Sequence, residues 1–181
     1  MLITRLSENY FIFIQTITLK TLLVIRHAKS DQSFFGNDFE RPLNERGKKD
    51  APEMATRLMN KALTVNALVA SPAKRAKRTA ELFCETFKQN IADIIFIEAL
   101  YHAPAREFYE VIKGLNDQFD TVAIFAHNPG ITYFVNGLVE DVRVDNMPTC
   151  AVFAIQIDTG QWKDFATAKK GFLFFDYPKN G

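Results

Sequence analysis

The chain has 181 residues, 48% of them hydrophobic and 24% charged, which suffices for one domain with a real core and excludes a disordered polypeptide. A net charge of +1 gives no electrostatic reason to expect nucleic acid or a membrane surface as the main partner. The two cysteines, Cys84 and Cys150, lie far apart without a CxxC spacing, which argues against a disulfide framework or a zinc site and for a cytoplasmic protein. Residues 1–18 are aromatic and apolar but broken by Glu8, Asn9 and Gln15. They are too interrupted to span a bilayer and lack a signal peptide's cleavage site, so they read as an N-terminal extension to a single domain over 19–181.

From there apolar runs alternate with helical patterns. The sequence predicts a strand over 19–25, a helix over 45–60, a strand over 65–70, a helix over 72–88 and a strand over 93–97. A helix over 104–117, a strand over 121–126 and a helix over 129–138 follow, then two strands over 151–157 and 172–176. This order implies βαβ units, hence an α/β three-layer sandwich whose mainly parallel central sheet carries helices on both faces. The last two strands are separated by a polar segment rather than an amphipathic helix, so they are expected to pair as a hairpin or antiparallel edge. Trp162, Phe172, Phe174 and Phe175 read as packing residues.

Three strand-to-helix junctions carry polar residues that packing does not require. "LLVI" runs into Arg26 and His27 at the carboxyl end of a strand, where an open α/β sheet binds its ligands. In "SPAKRAKRTA" Ser71 reads as an N-cap and Pro72 as the first helical residue, which places Arg75 one turn on with its side chain leaning back toward the crevice. In "VAIFAHNPG" His127 ends a strand, Asn128 can cap, and Pro129 starts the next helix. Helix amino termini, arginines and histidines at one sheet edge suit a dianionic phosphoryl group. Each signal also has a plainer reading: a structural histidine at a strand end, a solvated basic helix face in "KRAKR", ordinary turn chemistry in Asn-Pro-Gly. Their convergence on one edge favours the site.

In order and spacing, "LLVIRHAKS", "DFERPLNERG", "SPAKRAKRTAE" and "AHNPG" resemble the histidine phosphatase superfamily, the phosphoglycerate mutase-like enzymes, and particularly its short SixA-like branch. Ala28 stands where the founding Arg-His-Gly signature has glycine. The resemblance implies that Arg26 and Arg75 clamp phosphate, that His27 is the nucleophile that becomes phosphorylated, and that His127 binds phosphate and stabilises the transition state. It implies Arg41 as a further substrate contact, with a structural ion pair as the alternative, and Lys29, Ser30 and Asn128 as pocket-lining residues. No metal and no cofactor are called for.

Larger family members carry a Glu or Asp general acid in an insertion after the third strand. Here the segment "FIEALYHAPAREFYEVI" has no substantial insertion, and Glu98, His102 and Glu107 do not convincingly take the acid's place. Such a site suits a good leaving group, so the expected substrate is phosphohistidine of a protein. A small-molecule phosphomonoesterase or phosphomutase, and a non-catalytic phosphate- or phosphoprotein-binding module, are the alternatives.

Overall fold

A computed structural model describes residues 19–180, so the expected extension over 1–18 lies outside the described residues. β1 (Lys20–Arg26), β2 (Ala67–Ala70), β3 (Ile95–Phe96), β4 (Thr121–Ala126), β5 (Val152–Ile157) and β6 (Lys170–Asp176) form one sheet in the order β3-β2-β4-β1-β5-β6. The first four are parallel, β5 runs antiparallel to β1, and β6 antiparallel to β5. The mainly parallel sheet and the antiparallel pair at its edge match the sequence expectation.

β1 explains its own composition. Leu22 and Val24 pack into the core on one face, Leu23 and Ile25 into the core on the other, and all four are fully buried. A strand covered on both faces shows a continuous apolar run instead of alternation. α1 (Glu45–Asn60) and α2 (Lys74–Thr86) cover the second face through Met54, Leu58, Ala80 and Phe83. α3 (Ala105–Lys113) and α4 (Gly130–Asn136) cover the first through Phe108, Ile112, Ile131 and Phe134. Among the described residues no helix is long and apolar enough to cross a membrane.

Several elements are shorter than the sequence suggests. α3 stops at Lys113 because Gly114 takes the C-cap, yet Leu115 still packs on the core from outside the helix. β3 keeps two residues of its expected run, since it lies at the sheet edge with β2 as its one strand neighbour. Trp162, fully buried, anchors the β5–β6 connection by donating its indole N–H to the Phe119 carbonyl at 2.9 Å. Phe174 and Phe175 are half-buried on β6, whereas Phe172 is exposed.

Gly130 opens α4 in contact with the segment before α3, and a Cβ there would lie 1.7 Å from the Ala103 carbonyl oxygen. Backbone cannot give way as a flexible side chain can. Gly130→Ala should therefore destabilise the fold by about 3 kcal/mol, lowering the melting midpoint by roughly 6–12 °C. A melt indistinguishable from wild type would contradict this close approach.

Candidate active site

Because the order is β2-β4-β1 and all three are parallel, their carboxyl ends lie side by side. The ladder continues one residue beyond the strands: His27 donates its N–H to Ala126 O at 3.0 Å, and Ser71 to Phe125 O at 3.0 Å. Ser71, His27 and His127 thus leave the sheet together, and the two imidazole centroids are 5.1 Å apart. Arg75 reaches the same place from the first turn of α2 and is 3% exposed.

His27 is nearly buried, not merely lining a crevice, and its protonation follows from its contacts. The Ala28 carbonyl, 2.7 Å from Nδ1, can only accept, so Nδ1 carries the proton and Nε2 keeps its lone pair. Arg75 donates its Nε–H to that Nε2 at 3.3 Å. Burial, aided by the Arg75, Arg26 and Arg41 guanidinium groups and opposed by the Ala28 carbonyl, pushes the His27 pKa down to about 3. At neutral pH the imidazole is uncharged, and its unprotonated Nε2 accepts a hydrogen bond from a cation.

His127 has a different partner. Its Nε2 lies 2.9 Å from Ser71 Oγ, and burial first, then His27 and Arg75, push its pKa down to about 2. Ser71 Oγ also accepts the Ala73 N–H at 3.3 Å, and when its own proton goes to His127 Nε2 the ring proton sits on Nδ1. Among the described residues, two buried side-chain polar atoms make no hydrogen bond: His127 Nδ1 and Arg26 Nε. Arg26 is tethered at its other end, where Nη1 donates to Met147 O at 2.6 Å. Buried donors without partners are rare in folded proteins. Here both belong to residues that reach the edge from β1 and β4.

The remaining expected residues divide. Arg41 makes the ion pair that was its alternative role, with Nε at 3.1 Å and Nη2 at 2.8 Å from Asp38 Oδ1, while Nη1 donates to Ser30 Oγ at 2.9 Å. Ser30 is buried and serves Arg41. Lys29 is half-buried; its carbonyl accepts the Asn44 N–H at 3.0 Å, and its ammonium makes no bond in the cluster among the described residues. Asn128 is spent on structure: it donates to Asn146 Oδ1 and to Met147 O and accepts the Thr132 hydroxyl.

Two local expectations need correction. The N-cap of α2 is Ala73, without a side-chain bond, and the helix begins at Lys74, so Ser71 and Pro72 precede it; the Ser71 hydroxyl accepts the Ala73 N–H and meets His127 Nε2. α4 starts at Gly130 with Pro129 as N-cap, and Asn128 holds the 146–147 segment instead of capping.

Sequence reasoning passed over Asp38, Thr79 and Tyr101. Asp38, in a one-turn 3-10 helix (Asp38–Glu40), accepts from Arg75 twice, at 2.6 Å on its carbonyl and at 2.9 Å on Oδ2. Tyr101 donates its hydroxyl to the same Oδ2 at 3.1 Å, and His102 Nε2 is 4.0 Å from it. Partial burial works to raise the Asp38 pKa, but Arg75, Tyr101 and Arg41 outweigh it and hold the carboxyl below the usual range. Thr79 joins α2 to the Arg-His turn by accepting the Ala28 N–H at 3.0 Å and donating to Arg75 O at 2.6 Å. The "DFERPL" stretch carried the available signal for Asp38, an acid three residues before an arginine.

Glu98 is exposed and Glu107 half-buried, and neither side chain is tied into the cluster; His102 is exposed at its rim. A neighbouring cleft of about 490 Å³ is lined by Phe39, Pro42, Pro72, Lys74 and Lys77 among others, and by none of Arg26, His27, Arg75 and His127. Among the described residues no three His, Cys, Asp or Glu side chains are grouped to hold a metal ion.

The family model of the histidine phosphatase superfamily (branch 1) matches residues 22–101. Among solved structures, the protein histidine phosphatase SixA complexed with tungstate aligns over 88% of this chain and 98% of its own, with a TM-score of 0.76 at 19% identity. The Agrobacterium tumefaciens protein assigned as a SixA phosphohistidine phosphatase aligns over 88% and 98%, with a TM-score of 0.71 at 23% identity. A mycobacterial glucosyl-3-phosphoglycerate phosphatase complexed with VO3 aligns over 87% and 99%, with a TM-score of 0.68 at 15% identity. At these identities the likeness is one of fold. No curated protein matches the chain by sequence.

Proposed function

We propose that the chain is a metal-independent phosphatase of the histidine phosphatase superfamily that hydrolyses phosphohistidine on a protein through a phosphorylated His27, a reading supported by the family model over residues 22–101 and by the fold shared with SixA. The observation that carries this reading is the uncharged His27, its Nε2 lone pair held beside the Arg75 guanidinium. A histidine that served as a phosphate-holding cation would be protonated. This one is kept neutral, as a nucleophile requires.

A dianionic phosphoryl group is neutralised by the guanidinium groups of Arg26 and Arg75 and receives the unpaired Arg26 Nε–H and His127 Nδ1–H. The phosphoryl group takes over the Arg75 Nε–H, and the released His27 Nε2 lone pair forms a bond to phosphorus as the substrate's P–N bond breaks. The electron pair goes to the departing imidazole nitrogen; with its other nitrogen already protonated, the product leaves as neutral imidazole. Water then attacks phosphorus, the pair returns to Nε2, and inorganic phosphate leaves with the water's proton passed to solvent or to a phosphate oxygen. The donors at Arg26 and His127 stabilise charge in both steps.

The substrate class follows from what the site does not offer the leaving group. Asp38, the carboxylate inside the cluster, is held ionised by two arginines, so it has no proton to give. An alkoxide would depart unaided, whereas imidazole, with a reference pKa of about 6.5, needs far less help. The isolated, buried Cys84 and Cys150 fit the cytoplasmic location included in this reading.

The test is a panel of phosphohistidine proteins and small phosphate esters assayed with EDTA present. Phosphohistidine should be favoured by about 10²-fold or more in kcat/KM, with no loss to the chelator, because guanidinium groups replace a divalent cation. Comparable rates on sugar phosphates would move the substrate to small esters. Loss on chelation, restored by added metal, would remove the site as described.

A further inference from the structure

We propose that Asp38 is the positioning residue of the phosphate clamp, acting through Arg75 and Arg41 and never touching the substrate. The inference rests on the reading of Arg26, His27 and Arg75 as a phosphoryl site, and it concerns how that site is built before its ligand arrives.

An arginine side chain is long and flexible, and two of them aimed at one small anion repel each other. Something must hold them. Asp38 does so with all three of its oxygens: the carbonyl accepts Arg75 Nη1 at 2.6 Å, Oδ2 accepts Arg75 Nη2 at 2.9 Å, and Oδ1 accepts Arg41 Nε and Nη2 at 3.1 and 2.8 Å. Two tethers on the far nitrogens fix the plane of the Arg75 guanidinium, which directs its Nε–H onto His27 Nε2. Each Nη of Arg75 keeps a second hydrogen for a phosphate oxygen. The tether is itself supported, since the Tyr101 hydroxyl donates to Oδ2 at 3.1 Å from across the site.

Charge points the same way. With both histidines neutral, Arg26, Arg41 and Arg75 contribute three positive charges and Asp38 one negative, a local balance of +2. That complements a dianion without surplus. A general acid is the competing role for a carboxylate here, and the bonds to two arginines deny it the proton. A carboxylate that merely blocked the arginines until substrate arrived is the other competitor, and it makes the opposite prediction for anion binding.

Positioning and blocking are separated by the sign of one measurement. Orthovanadate binding to Asp38→Asn, followed by calorimetry, should weaken by about 10-fold, although the substitution makes the site more positive. Equal or tighter binding would overturn the proposal. In turnover, Asp38→Asn should lower kcat/KM by about 10- to 100-fold, and the double variant Asp38→Asn/Arg75→Lys should fall no more than about threefold below Arg75→Lys alone, because both changes remove the same arrangement. Additive losses would show that Asp38 does not act through Arg75. If Asp38→Asn melts early, Tyr101→Phe provides the second variant: it should cost about two- to fivefold in wild type, and an unchanged kcat/KM there would count against the tether. Should the wild type bind vanadate yet turn over no phosphorylated substrate, the hydrolase reading falls while the binding comparison still decides the role of Asp38.

Discussion

His27→Ala should reduce turnover by about 10⁴-fold or more, to the level of the uncatalysed background. The expectation rests on Nε2, an unprotonated nitrogen that accepts the Arg75 Nε–H in a buried corner of the sheet edge. No neighbouring side chain can replace it: His127 turns Nε2 toward Ser71, and His102 sits at the exposed rim. The variant should still fold, because water can enter past the partly exposed Asp38 and His102 to solvate the space and the Arg75 Nε–H. Rapid quenching of the wild type with substrate should trap an acid-labile phosphoryl group, and the variant should trap none. A wild type that stays unlabelled while its intermediate would be long-lived enough to see would remove the covalent route.

The parts of this site that could be read from sequence are those fixed by a short-range rule. "LLVI" is a strand covered on both faces, so the next two residues must emerge at its carboxyl end. Arg75 lies four residues after Ser71, and although α2 begins only at Lys74, that still puts Arg75 in the first helical turn, where the lean of helical side chains toward the amino terminus returns the guanidinium to the edge. Neither inference needs knowledge of another segment. Asp38 does: its importance arises because a one-turn helix folds back over Arg75, 37 residues away in the chain, and over Tyr101, 63 residues away. A three-residue helix leaves no periodicity to detect. Met147 is invisible for a different reason, since it contributes a carbonyl oxygen that any residue would supply. Ser71 lies two residues before the N-cap because α2 begins only at Lys74, and its hydroxyl joins the Ala73 N–H to His127 Nε2, a partner 56 residues away that the local pattern does not reveal.

Replacing Arg75 by lysine should lower kcat/KM by on the order of 10²- to 10³-fold while the protein remains folded. The exchange conserves charge, so any large effect must come from geometry. Arg75 uses three nitrogens in three directions: Nε toward His27, Nη1 and Nη2 toward Asp38. A lysine ammonium is a single point on a shorter reach, and it can satisfy Asp38 or approach His27 but cannot span both. The loss corresponds to about 3–4 kcal/mol of transition-state stabilisation, similar to removing one oxyanion donor. Arg26→Lys should behave alike, because its Nη1 is tied to Met147 O and its Nε is the unpaired donor. Arg41→Lys should act mainly on KM, since its Nε and Nη2 bond to Asp38 and its Nη1 to Ser30. The comparison needs kcat and KM for all three variants and a melting curve for each. Near-normal kcat/KM in a folded Arg75→Lys would mean that its fork does not meet the phosphoryl group, and the basic run of α2 would return to being a helix face that happens to cross the sheet edge.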